Sequence, residues 1–411
     1  MNRVVITGAG IISPIGNSVT EFERGLREGK NGIDFITKFD TTEYKAKLAA
    51  EVKDFDPLQY YETVLEARRS DLFTQYAVAA ATQAMENSGI AGNVDEDRLG
   101  VYFGSGIGGL ITMYNESVSL HTRGPRRVSP LFIPMTIGNM AAGAISIRFQ
   151  ARGATLPVVT ACATSATAVG EAYRAIKHGY ADAIIAGGAE AAICPLGVSG
   201  FMSCKALSFS EDPNAASIPF DKRRNGFVMG EGAAALILEE YEHAVRRNAK
   251  IYAEVVGYGN TADAYHVTSP DPEAGGAARA IVLAKEEAGI TGKEAIYVNA
   301  HGTSTLPNDA TETLAYKKAF GEDAYKLHIS STKSMTGHML GAAGGAEILA
   351  CMLALGGDFV PPTINYQEKD EECDLDYTPG KALSMPLDYA MSSSLGFGGH
   401  NAVVVLKKYR G

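Results

Sequence analysis

Val158-Val159-Thr160-Ala161-Cys162-Ala163-Thr164-Ser165-Ala166-Thr167-Ala168-Val169-Gly170 is the stretch on which the reading of this chain turns. β-branched residues run up to one cysteine. Small residues follow, and a helical pattern continues through Tyr173 and Ile176 to His178-Gly179. That order predicts strand, sharp turn and helix, with Cys162 at or near the helix N-terminus. Unpaired N–H groups and a partial positive charge at such a terminus favour thiolate over thiol. A lone cysteine in an apolar run is otherwise a small core residue. Its meaning therefore depends on what else the chain brings to it.

Working outward, 411 residues suffice for two domains or one large duplicated one. Hydrophobic residues make up 46% and charged residues 20%, the balance of a globular enzyme. With 45 Gly and only 16 Pro, tight turns and close backbone packing are expected. A net charge of −10 argues against bulk nucleic-acid binding. Five scattered cysteines form no CxxC pair and no metal spacing, which suits a reducing compartment. Met1 to Gly8 reads as a strand rather than a signal peptide. No apolar run reaches the roughly 20 residues of a membrane span, so no membrane insertion is expected.

Arg3 to Ile6 predicts a strand ending at Gly8-Ala9-Gly10, without the spacing of a dinucleotide fingerprint. Ser18-Val19-Thr20-Glu21 is a capping box ahead of an apolar stripe, Val19, Phe22 and Leu26. Ser70 to Asn87 predicts a helix stopped by Gly89. Leu99 to Phe103 predicts a strand running into Gly104-Ser105-Gly106-Ile107-Gly108-Gly109, a glycine loop that lacks the Lys-Ser/Thr of a phosphate-binding loop. Further strands are expected at Ala183 to Ala186 (closed by Gly187-Gly188), Ala233 to Leu238, Ile251 to Val256, Ile296 to Val298 and Ile329 to Ser331. Two more are expected within Met391 to Lys408, with helices at Ala277 to Ala288 and Gly341 to Leu355. Apolar strands alternating with helices imply an α/β fold with buried sheets. Ala233 to Glu240 is echoed by Val403 to Lys408, and the turn at Cys162 by Ser331-Thr332-Lys333, which suggests duplication.

Asn299-Ala300-His301-Gly302-Thr303-Ser304-Thr305 leaves one strand, and Ser331-Thr332-Lys333-Ser334-Met335-Thr336-Gly337-His338 leaves another. A histidine at each exit and a cysteine at a third form a constellation. A thiolate beside imidazoles suits acyl transfer through a thioester. Two histidine N–H donors aimed at one carbonyl suit stabilisation of an enolate.

These motifs, with Gly226-Phe227-Val228-Met229-Gly230-Glu231-Gly232 and Gly396-Phe397-Gly398-Gly399, resemble the β-ketoacyl-acyl carrier protein synthases of the elongating kind, synthase II above all. The resemblance covers essentially the whole chain. It implies a thiolase-like αβαβα five-layer fold of two duplicated halves, 1–250 with the nucleophile and 251–411 with both histidines. It also implies a cytoplasmic homodimer that elongates fatty acids by two carbons, without a cofactor, on substrates carried by acyl carrier protein. By that similarity Cys162 takes the acyl chain, while His301 and His338 bind the malonyl thioester and support decarboxylation. The N–H groups of Cys162 and Phe397 form the oxyanion hole, and Phe397 gates access. Thr303 and Thr305 hold the pantetheine arm. Ile107, Phe201, Phe227 and Gly398 contact substrate, Ile107 at the bottom of the acyl channel. Lys333 is a member of a buried ion-pair group with Glu312 and Glu347 rather than a Schiff-base lysine. Some relatives hold a monovalent cation near Asn299, Ala300 and Glu347. An acidic carrier protein calls for a positive rim, for which Arg68, Arg69, Arg126, Arg127 and Lys205 are candidates.

Two departures stand out. Leu306-Pro307 replaces the proline that usually follows His-Gly-Thr-Ser-Thr, and His400 stands where relatives carry threonine. The terminal glycine loop holds no second cysteine, which speaks against a thiolase. His338 speaks against a starter synthase with Cys-His-Asn. A cysteine hydrolase would leave Lys333 unexplained, and Cys162 speaks against a non-catalytic chain-length subunit. A polyketide ketosynthase of the same fold stays open.

Overall fold

The computed structural model describes residues 1–411. Its first half supplies strands β1 (Val4–Ile12), β2 (Leu99–Gly104), β3 (Thr155–Leu156), β4 (Ala183–Glu190) and β5 (Gly232–Glu240). Its second half supplies β6 (Ala253–Ala262), β7 (Ile296–Asn299), β8 (His328–Ser330), β9 (Tyr389–Gly396) and β10 (His400–Lys408). All ten share one sheet in the order β8-β7-β9-β10-β6-β1-β5-β4-β2-β3. Outward from the centre, one arm reads β1-β5-β4-β2-β3 and the other β6-β10-β9-β7-β8. The first two pairings of each arm are antiparallel and the last two parallel. The halves thus repeat one topology, joined where Val4–Ile6 meets Ala253–Val255.

The principal helices are α1 (Val19–Glu28), α2 (Leu72–Ser88), α3 (Leu110–Arg123), α4 (Met140–Phe149), α5 (Thr164–Lys177), α6 (Pro195–Ser203), α7 (Gly275–Ala288), α8 (Leu306–Phe320) and α9 (Ala343–Gly357). An all-apolar strand feeds two cores at once, because successive side chains point to opposite faces. Ala234, Leu236 and Leu238 enter a 46-residue core with α5 and α9, while Ala233, Ala235 and Ile237 enter a 27-residue core with α2 and α4. In β10, Ala402, Val404 and Leu406 face the same shared core, and Val403 and Val405 face a 25-residue core with α7 and α8. The result is five layers, α-β-α-β-α, with α5 and α9 in the middle. Leu340–Gly357 is apolar and long enough to match a membrane span, but 89% of it is buried between the two arms. The expectation that no run has that composition is corrected accordingly.

Three expectations about elements also change. Val158–Thr160 forms no strand; only Thr155 and Leu156 pair, on the outer edge of β2, and Val159 is 59% exposed. A sheet edge gives those apolar side chains nothing to pack on within one chain. β1 and β4 run through their glycines instead of stopping there. A Cβ on Gly10 would lie 2.0 Å from the Ala80 carbonyl, and one on Gly187 2.0 Å from that of Ala234. These glycines mark close backbone approach, not turns. β6 starts at Ala253 and continues to Ala262, beyond the apolar run that announced it.

Candidate active site

Cys162 sits in a 3₁₀ turn, Ala161–Ala163, that opens α5. Ala161 has φ +50°, a left-handed conformation that a Cβ disfavours by roughly 1–2 kcal/mol. The turn is braced from behind: the Thr160 N–H donates to Thr164 Oγ1 (2.9 Å), and the Thr160 and Thr167 hydroxyls lie 2.9 Å apart. From the other half, the end of β9 presses against it. A Cβ on Gly396 would lie 2.5 Å from the Thr160 carbonyl, and the Phe397 N–H acts on the Cys162 sulfur to favour its thiolate. Burial pushes the Cys162 thiol up to about 12, against the pull of the Lys333 charge and the Phe397 N–H. The expected thiolate is thus a half-buried, protonated thiol, whose proton must leave as the sulfur attacks.

His301 and His338 come from matching exits of β7 and β8, with their rings 5.2 Å apart and nearly perpendicular (86°). Burial and the Lys333 charge hold both imidazoles well below their usual range, so both are neutral. Their tautomers follow from their neighbours. The Lys333 ammonium donates to His301 Nδ1 (3.4 Å), and the Leu340 N–H donates to His338 Nδ1 (3.3 Å). Each ring therefore carries its proton on Nε2. Lys333 is itself ion-paired with Glu347, and both are buried. Glu312 does not join that pair, contrary to expectation. Its carboxylate accepts from the N–H groups of His301 and Gly302 and from the Tyr316 hydroxyl, each at 2.7 Å. His338 is pinned through its backbone: its N–H donates to Val228 O (2.7 Å), and the Gly230 N–H donates to its carbonyl (2.8 Å).

These groups open into a cavity of about 320 Å³ whose lining includes Cys162, Phe201, Phe227, His301, Thr303, Thr305, His338 and Phe397, with Lys205 at the rim. An aromatic run crosses it, with Phe397–Phe201 centroids 6.5 Å apart, Phe201–Phe227 5.5 Å and Phe227–His338 5.1 Å. Thr303 and Thr305 hydroxyls meet at 2.9 Å. Gly399 lines the cavity and Gly398 does not; the Gly398 N–H donates to Val267 O (2.7 Å) and ties the glycine loop to the opposite lip. Leu306-Pro307 simply starts α8, with proline in the first turn, where its missing N–H costs nothing.

Ile107 lies outside this cavity and is 40% exposed. Its glycine loop cradles an anion, but an internal one: the N–H groups of Gly106 and Ile107 donate to Glu190. Glu190, Asp263 and Asn225 escaped the sequence reading. A carboxylate ending the apolar run Ala183–Ala189 was the available signal for Glu190; the lip residues Asp263 and Asn225 carried none.

Residues 1–244 match the family described as Beta-ketoacyl synthase, N-terminal domain, and 252–367 match its C-terminal domain. The chain belongs to the β-ketoacyl synthase family. Among its relatives, a 3-oxoacyl-[acyl-carrier-protein] synthase 2 of Synechocystis is 50% identical over 410 residues, covering 99% of this chain and 98% of that one. Proteins of the same name from Coxiella burnetii and Staphylococcus aureus are 49% and 50% identical, each across 99% of this chain and 98% of theirs. Solved ketosynthases share the architecture. One, titled as a type II polyketide synthase acyl-carrier protein in complex with its ketosynthase, superimposes with a TM-score of 0.92 at 34% identity, covering both chains completely. A β-ketoacyl synthase from Burkholderia phymatum gives the same score at 35% identity, again over 100% of both chains. The family's thiolase-like fold is the five-layer arrangement described above.

Proposed function

We propose that this β-ketoacyl synthase elongates fatty acyl chains by decarboxylative condensation of malonyl-acyl carrier protein with an acyl-enzyme thioester. The observation that carries the reading is the pair of neutral histidines, both with Nε2–H, opening into the same cavity as the Cys162 sulfur. In the first half-reaction Cys162 Sγ bonds to the acyl carbon, the carrier's C–S bond breaks, and the thiol proton goes to the departing pantetheine sulfur. In the second, the malonyl C–CO₂ bond breaks and its electron pair becomes an enolate whose oxygen takes both Nε2–H bonds. The enolate carbon attacks the acyl-Cys162 thioester, releasing 3-oxoacyl carrier protein and a Cys162 thiolate that regains a proton.

The two roles are separable. Cys162→Gln is expected to abolish condensation yet still release carbon dioxide from malonyl carrier protein. His338→Ala is expected to accept an acyl group on Cys162, read as a mass shift, while decarboxylation falls by about 10²-fold, the scale for one oxyanion donor. Loss of both half-reactions in either variant overturns this division of labour. The ketosynthase titled as part of a type II polyketide synthase is 34% identical, below the 49–50% of the proteins named 3-oxoacyl-[acyl-carrier-protein] synthase 2, which favours the fatty-acid reading.

Arg68, Arg69, Arg126, Arg127 and Lys205 are all exposed and are proposed to receive the acidic carrier protein. Charge reversal at Arg126 and Arg127 should raise KM for carrier-bound but not free pantetheine substrates; equal losses on both sink the patch. Five free cysteines suit a reducing cytoplasm. The halves 1–250 and 251–411 are read as a duplication. The open edge at Leu156 and Val159 is proposed to pair with a second copy, which would also cover Ile107 and close an acyl channel past it. The second oxygen of Glu347 and the hydroxyls of Ser392, Ser393 and Ser394 are buried without partners. Glu347 with Ser392 and Ser394, which share one face of β9, is an all-oxygen set that fits the monovalent cation of some relatives, beside Asn299 and Ala300. A cation there would neutralise charge behind His301.

A further inference from the structure

Glu190 ends β4 completely buried, directly behind the catalytic cavity, and none of its partners is a cation. Four donors surround it. Its Oε1 accepts from the Ser105 hydroxyl (2.7 Å) and the Ile107 N–H (3.2 Å). Its Oε2 accepts from the Gly106 N–H (2.9 Å) and, across the fold, from the Gly341 N–H (3.0 Å). The first three belong to the glycine loop of the first half, the fourth to the turn that opens α9 in the second. A bare anion can be buried this way only because the amides replace its hydration.

Both segments touch reacting groups. A Cβ on Gly106 would lie 3.4 Å from the Ala161 carbonyl, so the loop lies against the turn that presents Cys162. Gly341 follows Leu340, whose N–H holds His338 Nδ1 at 3.3 Å. The two segments are packed backbone on backbone: a Cβ on Gly341 would lie 2.4 Å from Gly106 N and 2.7 Å from Glu190 Oε2. No side chain other than that carboxylate bridges them here. We propose that Glu190 is a positioning residue: its two oxygens clamp the Cys162 side of the cavity to the His338 side and set the spacing on which decarboxylative condensation depends. This rests on the division of labour proposed above for Cys162 and His338.

The clamp also has an electrostatic signature that a passive strut lacks. A buried negative charge close to Cys162 opposes the thiolate, and Glu190 raises the Cys162 thiol in this way. Burial pushes the Glu190 carboxyl itself up to about 6, so it is charged above neutral pH. Lys333 on the opposite side pulls the thiol down and Glu347 pushes it up; neither belongs to the clamp. Replacing the carboxylate with an amide therefore acts in two directions. The geometry loosens, and the thiol becomes easier to ionise.

Glu190→Gln keeps the volume but offers one acceptor oxygen and turns an NH₂ toward backbone N–H groups. The expected result is a tenfold or greater fall in condensation of acyl-Cys162 with malonyl carrier protein. The pH midpoint for alkylation of Cys162 by iodoacetamide should move at the same time to lower pH. Ser105→Ala is the milder companion, removing one donor while leaving the charge. It should lower condensation several-fold with the alkylation midpoint unmoved, and it keeps the test alive if the amide variant does not fold. Condensation within twofold of wild type in the folded variants, or an alkylation midpoint that stays or rises in Glu190→Gln, overturns the proposal. Failure of the underlying reading looks different: Cys162→Gln with Glu190 intact would then not decarboxylate at all. The alkylation arm needs no carrier protein and stands apart from that reading.

Discussion

Lys333 connects stability and chemistry in a single side chain. Its ammonium neutralises the buried Glu347 and fixes the proton of His301 on Nε2. Lys333→Met leaves a carboxylate buried without a partner, a loss of about 3–5 kcal/mol. Adding Glu347→Leu removes that carboxylate, and an apolar pair of similar volume is close to neutral for stability. The double variant is thus expected to regain the wild-type denaturation midpoint while decarboxylation stays low. Recovery of both together would mean that Lys333 matters for folding alone.

Glu312 gives the pH dependence. Burial raises its carboxyl from 4.5 to about 7. The ionised form accepts from the His301 and Gly302 N–H groups, the Tyr316 hydroxyl and the Asn308 amide, so the His301 loop is best held above pH 7 and loosens as protonation proceeds below it. For stability the sign is reversed. A raised folded-state value favours the folded protein below about 4.5, and that contribution is lost as pH rises through about 7. Decarboxylation rates across pH 6 to 8 should therefore show an acid limb near 7 that Glu312→Gln flattens at a lower plateau. A limb that persists unchanged in that variant belongs to another group.

At the scale of elements, α5 and α9 are long runs of small residues because two helices share the middle layer. Gly170 shows how tight the layer is: a Cβ there would lie 2.1 Å from the Tyr258 ring on β6. Gly170→Ala must displace a buried aromatic ring, which costs about 1–3 kcal/mol by overpacking. A urea midpoint that falls with an unchanged slope is the expected reading; an unchanged midpoint would show that the ring moves freely. The helix and strand patterns here were legible in the chain because apolar residues recur at helical spacing on α1 (Val19, Phe22, Leu26) and fill both faces of β5 and β10. The cysteine and both histidines were legible for a chemical reason, since each is a reactive side chain among small residues at a strand exit. What stayed hidden was contextual. Alternate residues of β5 serve different cores, glycines in β1 and β4 mark contact with neighbouring backbones, and the partners of Glu190 lie 83 to 151 positions away. None of that is encoded in a local window.

For the whole molecule, the two arms differ at their tips. The outer side of β8 is occupied by the chain itself, the Ile329 N–H donating to Asp376 O (3.0 Å). The outer side of β3 is open, and Leu156 and Val159 beside it are 43% and 59% exposed. Val159→Glu puts a charge on that open edge. Sedimentation should show two copies for the wild type and a shift to single chains for the variant; a wild type that stays single at micromolar concentration removes the proposed pairing.

That asymmetry also governs growth. A sheet with two free rims could add subunits indefinitely and form a fibre. Here each chain has one sticky end and one sealed end. Once two sticky ends meet, nothing is left to extend. If two copies pair there as proposed, the short Thr155–Leu156 strand is a terminator as well as a connector, and unsealing the β8 rim would be the change that turns a finite particle into a filament.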